Sequence, residues 1–146
     1  TVKVEKYKEV QHFSHVTHLV SKVIGQLKSN NPFEALCHSF PAGTLSGTPK
    51  PKALELIQRY ESDNRNFYGG AIGLIGANGD LNTAIVIRSI LSQNNVLHYR
   101  AGAGIVLDSI PESETKEVHH KLRALRTAID RAVKTCQPTN HEICNE

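Results

Sequence analysis

A glycine-rich run followed by charged residues on a predicted helix is the part of this sequence most suited to chemistry. The run is Ala101-Gly102-Ala103-Gly104, and Glu117 and Lys121 follow it. Glycines leave backbone N–H groups unshielded, so an anion can approach them closely. Because Glu117 and Lys121 are four residues apart, they share one helix face. The pattern predicts a site for a negatively charged ligand with a metal ion beside it.

The overall composition is that of an ordinary globular protein. The chain has 146 residues, 39% of them hydrophobic and 21% charged, which is enough for one domain with a core. The formal net charge is +3 and no block of Lys and Arg occurs, so we expect no nucleic-acid partner. No apolar stretch approaches the roughly 20 residues that span a bilayer, so we expect no membrane partner.

The cysteine spacing and the absence of Met give expectations about the cellular compartment of the protein and about its processing. The three cysteines, Cys37, Cys136 and Cys144, have no C-x-x-C spacing, so neither a structural zinc site nor a disulfide framework is expected. Three reduced thiols favour a cytoplasmic protein. The sequence contains no Met, from which we expect a processed or excised piece.

Strands followed by helices are predicted for the first half of the chain. Residues 2–7 alternate apolar and polar side chains, and residues 12–27 are rich in β-branched types, so each is expected to be one strand. A turn ending at Pro32 opens a short helix over residues 33–39. Prolines and glycines predict a loop over residues 41–52, and apolar spacing predicts a helix after it, over 52–61.

A meander of strands and one long helix are predicted for the second half. The three strands span 70–76, 81–92 and 96–101, with a type I′ turn at Asn78-Gly79 and a second tight turn at Asn94-Asn95. A helix runs from Pro111 to about Cys136, with an apolar stripe formed by Val118, Leu122, Leu125, Ile129 and Ala132. Residues 137–146 form a polar tail. The predicted fold class is therefore α+β, with residues 1–136 as one domain or one piece of a domain.

Five short motifs occur in one order along the chain: Val16-Thr17-His18-Leu19-Val20-Ser21, Ala42-Gly43-Thr44-Leu45-Ser46-Gly47-Thr48-Pro49-Lys50, Tyr68-Gly69-Gly70-Ala71-Ile72-Gly73, Ile85-Val86-Ile87-Arg88-Ser89, and Ala101 to Val106 with Asp108-Ser109. Together they resemble the C-terminal part of the chorismate-utilising enzymes, and their wording is most similar to the component I (large) subunits of anthranilate synthases. The resemblance covers about residues 7–129. It implies part of the layered antiparallel-sheet and helix domain of that family.

The resemblance also implies a reaction. Ammonia adds to chorismate and pyruvate is eliminated, giving anthranilate for tryptophan biosynthesis. Magnesium is the implied cofactor, and a glutamine amidotransferase subunit is the implied ammonia source. Two alternatives stay open: an aminodeoxychorismate or isochorismate synthase, and a non-catalytic module that binds an anion or a partner protein.

Helix residues supply the implied metal site. By resemblance, Glu117 is a magnesium ligand. Glu114, three residues earlier on the same helix face, is a further candidate for the metal or its waters. Lys121 neutralises the bound substrate or orients Glu117. The ordinary alternatives are a solvated helix glutamate and an i,i+4 ion pair worth a few tenths of a kcal/mol.

Two residues in predicted strand regions and the glycine run are the candidates for binding the substrate carboxylates. Arg88 lies within an apolar run predicted as a strand, where an unpaired buried charge is costly, so a carboxylate partner is expected. By resemblance, that partner is the pyruvyl carboxylate, with help from the Tyr68 hydroxyl. The backbone N–H groups of Gly102, Ala103 and Gly104 bind a substrate carboxylate. The alternatives are an outward-facing arginine, a core aromatic and a simple tight turn.

Two further residues are implied near the leaving group. His18 is assigned proton management or contact with the ring hydroxyl, although a lone His on a strand is more often structural. Thr44 is assigned a hydrogen bond to the substrate. The family's other metal carboxylate and its proton-transfer lysine are not found in this chain, so we expect it to be inactive alone. Exposed sheet edges are then expected to promote self-association.

Overall fold

A computed structural model describes residues 1–12, 17–29 and 31–136. The chain divides into two compact units, Thr1–His38 and a second unit that begins at Ser39. Small antiparallel sheets and helices make up both, so the predicted α+β class is confirmed. The predicted polar tail and Cys144 lie outside the described residues. Across the described ranges, no helix combines the length and the apolar character needed to cross a membrane.

The first unit contains a hairpin and a short helix. Strand β1 (Lys3–His12) pairs antiparallel with β2 (Thr17–Ile24), and its register shifts twice between Val4 and Glu9. Lys8 has a positive φ of 51°, which is typical of a bulged strand. Of the strand predicted over 12–27, residues 17–24 form β2 and His12 ends β1, while residues 13–16 lie outside the described residues. Helix α1 (Pro32–Ser39) confirms the predicted short helix.

Two helices open the second unit. The one-turn helix α2 (Gly43–Ser46) and the start of α3 (Lys50–Tyr60) replace most of the predicted loop. Proline is tolerated at the start of α3 because the first N–H groups of a helix have no intrahelical acceptor. The loop prediction therefore failed by treating every proline as a breaker. The helix predicted over 52–61 is confirmed as α3.

Two separate hairpins follow. Strand β3 (Ala71–Ile75) pairs with β4 (Leu81–Ile85), and β5 (Leu91–Gln93) pairs with β6 (Val96–His98). Within the described part of the chain these hairpins form two sheets, so the predicted three-stranded meander is wrong. The predicted strand over 81–92 is interrupted at Arg88, whose φ is +53°. An arginine in this left-handed region cannot continue a strand.

The two hairpin turns differ in type. Gly79 has a φ of +88°, while Asn78 does not enter the left-handed region. The Gly79 N–H donates to the Gly76 carbonyl at 2.9 Å, which indicates a three-residue loop with glycine at its left-handed position rather than type I′. Asn94 and Asn95 both have positive φ, so the second predicted tight turn is confirmed and has the type I′ signature.

The long helix α4 (Pro111–Cys136) has the predicted bounds. Val118, Leu122, Leu125 and Ile129 of its predicted stripe are half-buried, whereas Ala132 is exposed. No hydrophobic side chain among the described residues is fully buried, and Leu74 of β3 is 78% exposed. The apolar face of β3 is therefore open to solvent, and that of α4 is only partly covered.

Candidate active site

The glycine loop, residues 101–109, joins β6 to α4. The N–H groups of Gly102, Ala103 and Gly104 donate no hydrogen bond to any of the described residues. Neither glycine adopts a left-handed φ, so neither is required by backbone conformation. A Cβ on Gly104 would meet nothing within 4 Å, and one on Gly102 would lie 3.6 Å from the Tyr68 hydroxyl. The missing side chains therefore leave unshielded donors beside Tyr68.

Lys121 connects helix α4 to this loop. Its Nζ donates to the Gly102 carbonyl at 2.8 Å and lies 2.6 Å from Glu117 Oε1. The Lys121 side chain is 36% exposed and that of Glu117 is 50% exposed. The predicted sharing of a helix face is thus realised as an ion pair. The Lys121 ammonium holds the loop backbone as well as the carboxylate.

A second connection closes the other end of the loop. The Ser109 hydroxyl accepts from the Val106 N–H at 3.0 Å and donates to Glu114 Oε1 at 2.7 Å. Glu114 Oε2 is buried and has no hydrogen-bond partner among the described residues. One oxygen of Glu114 thus fastens the loop, while the other is a buried acceptor that receives no hydrogen bond from the described residues.

Backbone hydrogen bonds bring the Tyr68 and Arg88 segments together. The Gly69 N–H donates to the Val86 carbonyl at 2.8 Å, and the Val86 N–H donates to the Gly70 carbonyl at 2.9 Å. These bonds place the residue after Tyr68 beside a residue two positions before Arg88. The same strand-end pairing thus positions both predicted carboxylate-binding residues.

Arg88 differs from its predicted setting. It is exposed rather than enclosed in an apolar strand, and it makes no hydrogen bond or ion pair with the residues the structure describes. The argument from buried charge is therefore wrong for this residue. Its left-handed backbone costs of order 1–3 kcal/mol, a kind of strain that concentrates at functional sites. An exposed, uncommitted guanidinium is suited to an anionic ligand.

The remaining predicted residues lie in different parts of the chain. Thr44 is exposed in α2, and the carbonyl of its neighbour Leu45 accepts from Arg65 Nη1 at 2.9 Å. His18 is exposed in β2 opposite Gln11, within the first unit. The structure therefore links the Thr44 turn to the second unit's site, and the role of His18 stays a prediction.

A charged cluster beside Tyr68 was not predicted. It consists of Glu61, Asp63, Arg65 and Arg100, which line an open cleft of about 280 Å³ together with Tyr68 and Gly102. The hydrogen bond from Arg65 lowers the pKa of Glu61 below its ordinary value, and the same bond raises the pKa of Arg65. The four-residue spacing of Glu61 and Arg65 is the sequence signal that could have identified this pair.

The described residues contain no group of three or more His, Cys, Asp and Glu side chains arranged to hold a metal. Glu114 and Glu117 lie three residues apart on α4, and Glu114 Oε2 is unpartnered. Magnesium is commonly bound through one or two carboxylates, with water and substrate oxygens completing its shell. These two glutamates fit that minimal donor set.

Comparison with known proteins matches this chain to relatives that are much longer. It is 51% identical over 130 residues to anthranilate synthase component 1 of Saccharolobus solfataricus, covering 88% of this chain and 31% of the relative. It is 42% identical over 145 residues to the Bacillus caldotenax protein of the same name, covering 99% and 28%. The chain thus spans about a third or less of these two relatives.

Solved structures agree in fold. Anthranilate synthase component I from Streptococcus pneumoniae TIGR4 superposes with a TM-score of 0.78 at 44% identity, over 82% of this chain and 28% of that one. A Bacillus anthracis structure assigned as a 2,3-dihydroxybenzoate-specific isochorismate synthase gives 0.80 at 34%, over 89% and 35%. The family model for chorismate binding enzymes matches residues 1–127. The chain therefore belongs to the chorismate binding enzyme family.

Proposed function

We propose that this chain provides part of an active site that converts chorismate and ammonia to anthranilate and pyruvate. One observation carries the proposal. Tyr68 and Gly102 line one cleft, and contacts run from Gly102 through Lys121 to Glu117, beside three N–H groups that donate to none of the described residues. The similarity to anthranilate synthase component 1 over most of the chain supports this reaction over others in the family.

Chorismate carries two carboxylates, and the site offers donors for both. The N–H groups of Gly102 to Gly104 bind one carboxylate, because unpaired backbone amides suit an anion. The Arg88 guanidinium and the Tyr68 hydroxyl bind the pyruvyl carboxylate. A charge-assisted bond from Arg88 is stronger than a neutral one. Lys121 holds the loop in place and adds a positive charge.

Magnesium is the proposed cofactor, held by Glu117 and Glu114. When bound, it would neutralise the negative charge of a substrate carboxylate near α4. The Lys121 ammonium, 2.6 Å from Glu117 Oε1, orients that carboxylate. Thr44 is proposed to donate a hydrogen bond to the substrate, and His18 to manage a proton or contact the ring hydroxyl. The net balance of the reaction also releases one water.

A glutamine amidotransferase subunit is the proposed source of ammonia. The similarity to component 1 of a synthase supports a partner of this kind. Ammonium salt should replace that partner in vitro, because ammonia rather than glutamine is the reacting species.

A hybrid protein tests the proposal. The chain replaces its matching segment, 31% of the length of the Saccharolobus solfataricus relative, and the purified hybrid receives chorismate, ammonium salt and Mg²⁺. Anthranilate and pyruvate in equal amounts are expected, and chelation of the metal should abolish both. Glutamine should serve only when a glutamine amidotransferase subunit is added.

Product identity separates the alternatives. Isochorismate or aminodeoxychorismate in place of anthranilate would assign the chain to another reaction of the family. A hybrid that unfolds cooperatively on heating but consumes no chorismate would contradict the catalytic proposal and favour a non-catalytic module.

A further inference from the structure

We propose that Arg65 is a positioning residue for this site. Through its pair with Glu61, it holds Tyr68 and the Thr44 turn in register with the glycine loop. This inference rests on the proposed function, because it concerns how the proposed carboxylate-binding groups are kept in place.

The Arg65–Glu61 pair has the two-point geometry that fixes orientation. Arg65 Nε donates to Glu61 Oε2 at 2.9 Å, and Arg65 Nη2 donates to Glu61 Oε1 at 2.5 Å. Their side chains are 27% and 35% exposed, respectively. A planar guanidinium joined to a carboxylate by two bonds cannot rotate freely, unlike a lysine ammonium.

The oriented guanidinium reaches two motifs distant in sequence. Its Nη1 donates to the Leu45 carbonyl, one residue after Thr44, at 2.9 Å. Its Cζ lies 5.9 Å from the centre of the Tyr68 ring, and the Arg65 carbonyl accepts from the Tyr68 N–H at 2.9 Å. A cation over an aromatic face within about 6 Å is attractive. Arg65 thus restrains both the Tyr68 ring and the Thr44 turn.

Glu61 also connects this pair to the glycine loop. Arg100, the residue before Ala101, places Nη1 3.7 Å from Glu61 Oε2. The same Nη1 donates to the Asp63 carbonyl at 3.3 Å. The Glu61 carboxylate is therefore shared by two arginines, one holding Tyr68 and the other adjoining the loop that Tyr68 faces.

Loss of this arrangement should weaken chorismate binding more than it slows the chemical step. Arg65 touches neither the proposed metal ligands nor the proposed proton-handling residue, so its removal loosens groups that bind substrate carboxylates. The binding-competent conformation of these groups is then only part of the population, which raises the apparent dissociation constant for chorismate.

The test uses three variants of the hybrid protein. Arg65→Lys keeps the charge but loses the fork, and Glu61→Gln keeps the shape but loses the charge. Arg59→Lys is the matched control, because Arg59 also lies over a ring, that of Tyr60 at 5.4 Å, without joining the cluster. KM for chorismate, kcat, chorismate Kd by calorimetry and Tm are measured for each.

We expect KM and Kd for chorismate to rise about tenfold in Arg65→Lys and about fivefold in Glu61→Gln, on the scale of one lost charged hydrogen bond. The value of kcat should stay within about twofold, and the double variant should be less than additive because the two residues act as a unit. Arg59→Lys should match the parent.

Unchanged KM and Kd would overturn the proposal, as would a fall in kcat that simply follows a fall in Tm. If Arg65→Lys does not fold, Glu61→Gln decides by the same criteria. Failure of the proposed function has a different signature, since the unmutated hybrid would then make no anthranilate. In that case the chorismate Kd of the Arg65 variant would still test the role of Arg65. If the unmutated hybrid does not bind chorismate at all, both the proposed function and the role of Arg65 are overturned.

Discussion

Removal of the Lys121 ammonium should disorder the glycine loop and weaken chorismate binding. In Lys121→Met the side chain keeps its length but loses the donor to Gly102 O at 2.8 Å and the partner of Glu117 at 2.6 Å. Because Lys121 is 36% exposed, its hydrogen bond to Gly102 should contribute less than a buried charged bond, about 1–1.5 kcal/mol, which is the upper part of the range for ordinary hydrogen bonds. The exposed pair adds roughly 0.3–0.5 kcal/mol.

These contacts sum to roughly 1.3–2 kcal/mol, which sets the expected loss in binding free energy. If the loop must become ordered before chorismate binds, the free energy of ordering it weakens binding by the same amount. We therefore expect kcat/KM to fall about 10- to 30-fold. A direct bond from Lys121 to a substrate carboxylate would cost more, about 100-fold or beyond. The magnitude therefore separates holding the loop from contacting substrate.

The assay is the steady-state rate of anthranilate formation by the hybrid protein with varied chorismate. Lys116→Met is the matched control, because Lys116 is an exposed lysine on the same helix. A loss below about threefold in Lys121→Met, comparable to the control, would refute the reasoning from these contacts.

Three further predictions concern the metal, a glycine and pH. Glu117→Gln should raise the Mg²⁺ concentration for half-maximal activity by at least about tenfold. The control Glu112→Gln, in the same helix, should not raise it. Equal Mg²⁺ dependence in the two variants would show that Glu117 does not bind the metal. Gly73→Ala should lower Tm or prevent folding, because its Cβ would lie 2.1 Å from the Asn82 carbonyl oxygen; an unchanged Tm would contradict this. Glu61 has a folded pKa below its ordinary 4.5, so its contribution to stability is present above that pH and is lost as the pH falls through the folded value. The urea midpoint of the hybrid should therefore exceed that of Glu61→Gln at pH 6, and the difference should shrink as the pH falls below 4.5 and through the lowered pKa of Glu61. A difference that does not change with pH would count against the pair.

Local signals in the sequence were sufficient to predict helix α4 and its ion pair. Pro111 begins the helix, the apolar spacing continues to its last turn, and Glu117 and Lys121 meet as an i,i+4 pair. Each of these features depends on residues within a few positions of one another. Local periodicity therefore determined the helix and the charges it presents.

The break at Arg88 could not be predicted from composition. Residues 85–91 are mostly β-branched or large and apolar, so propensity favours an uninterrupted strand. The left-handed φ of Arg88 arises where β4 leaves its hairpin and β5 enters another. Propensity describes each residue separately and does not report where pairing partners change.

The Arg65 cluster was missed because its contacts are distant in sequence. Arg65 meets the Leu45 carbonyl 20 residues away, and Arg100 meets the Asp63 carbonyl 37 residues away. No spacing rule connects such positions before the fold is known. The family resemblance did point to the residues that Arg65 contacts, which are Tyr68 and the Thr44 turn.

The central claim is that the glycine loop, Arg88 and Glu117 act on one doubly anionic ligand. A crystal structure of the hybrid protein with chorismate and Mg²⁺, without ammonia, tests it most directly. We predict one carboxylate on the N–H groups of Gly102 to Gly104, a carboxylate on Arg88, and the metal on Glu117. Ligand bound elsewhere, with none of these three groups in contact, would contradict it.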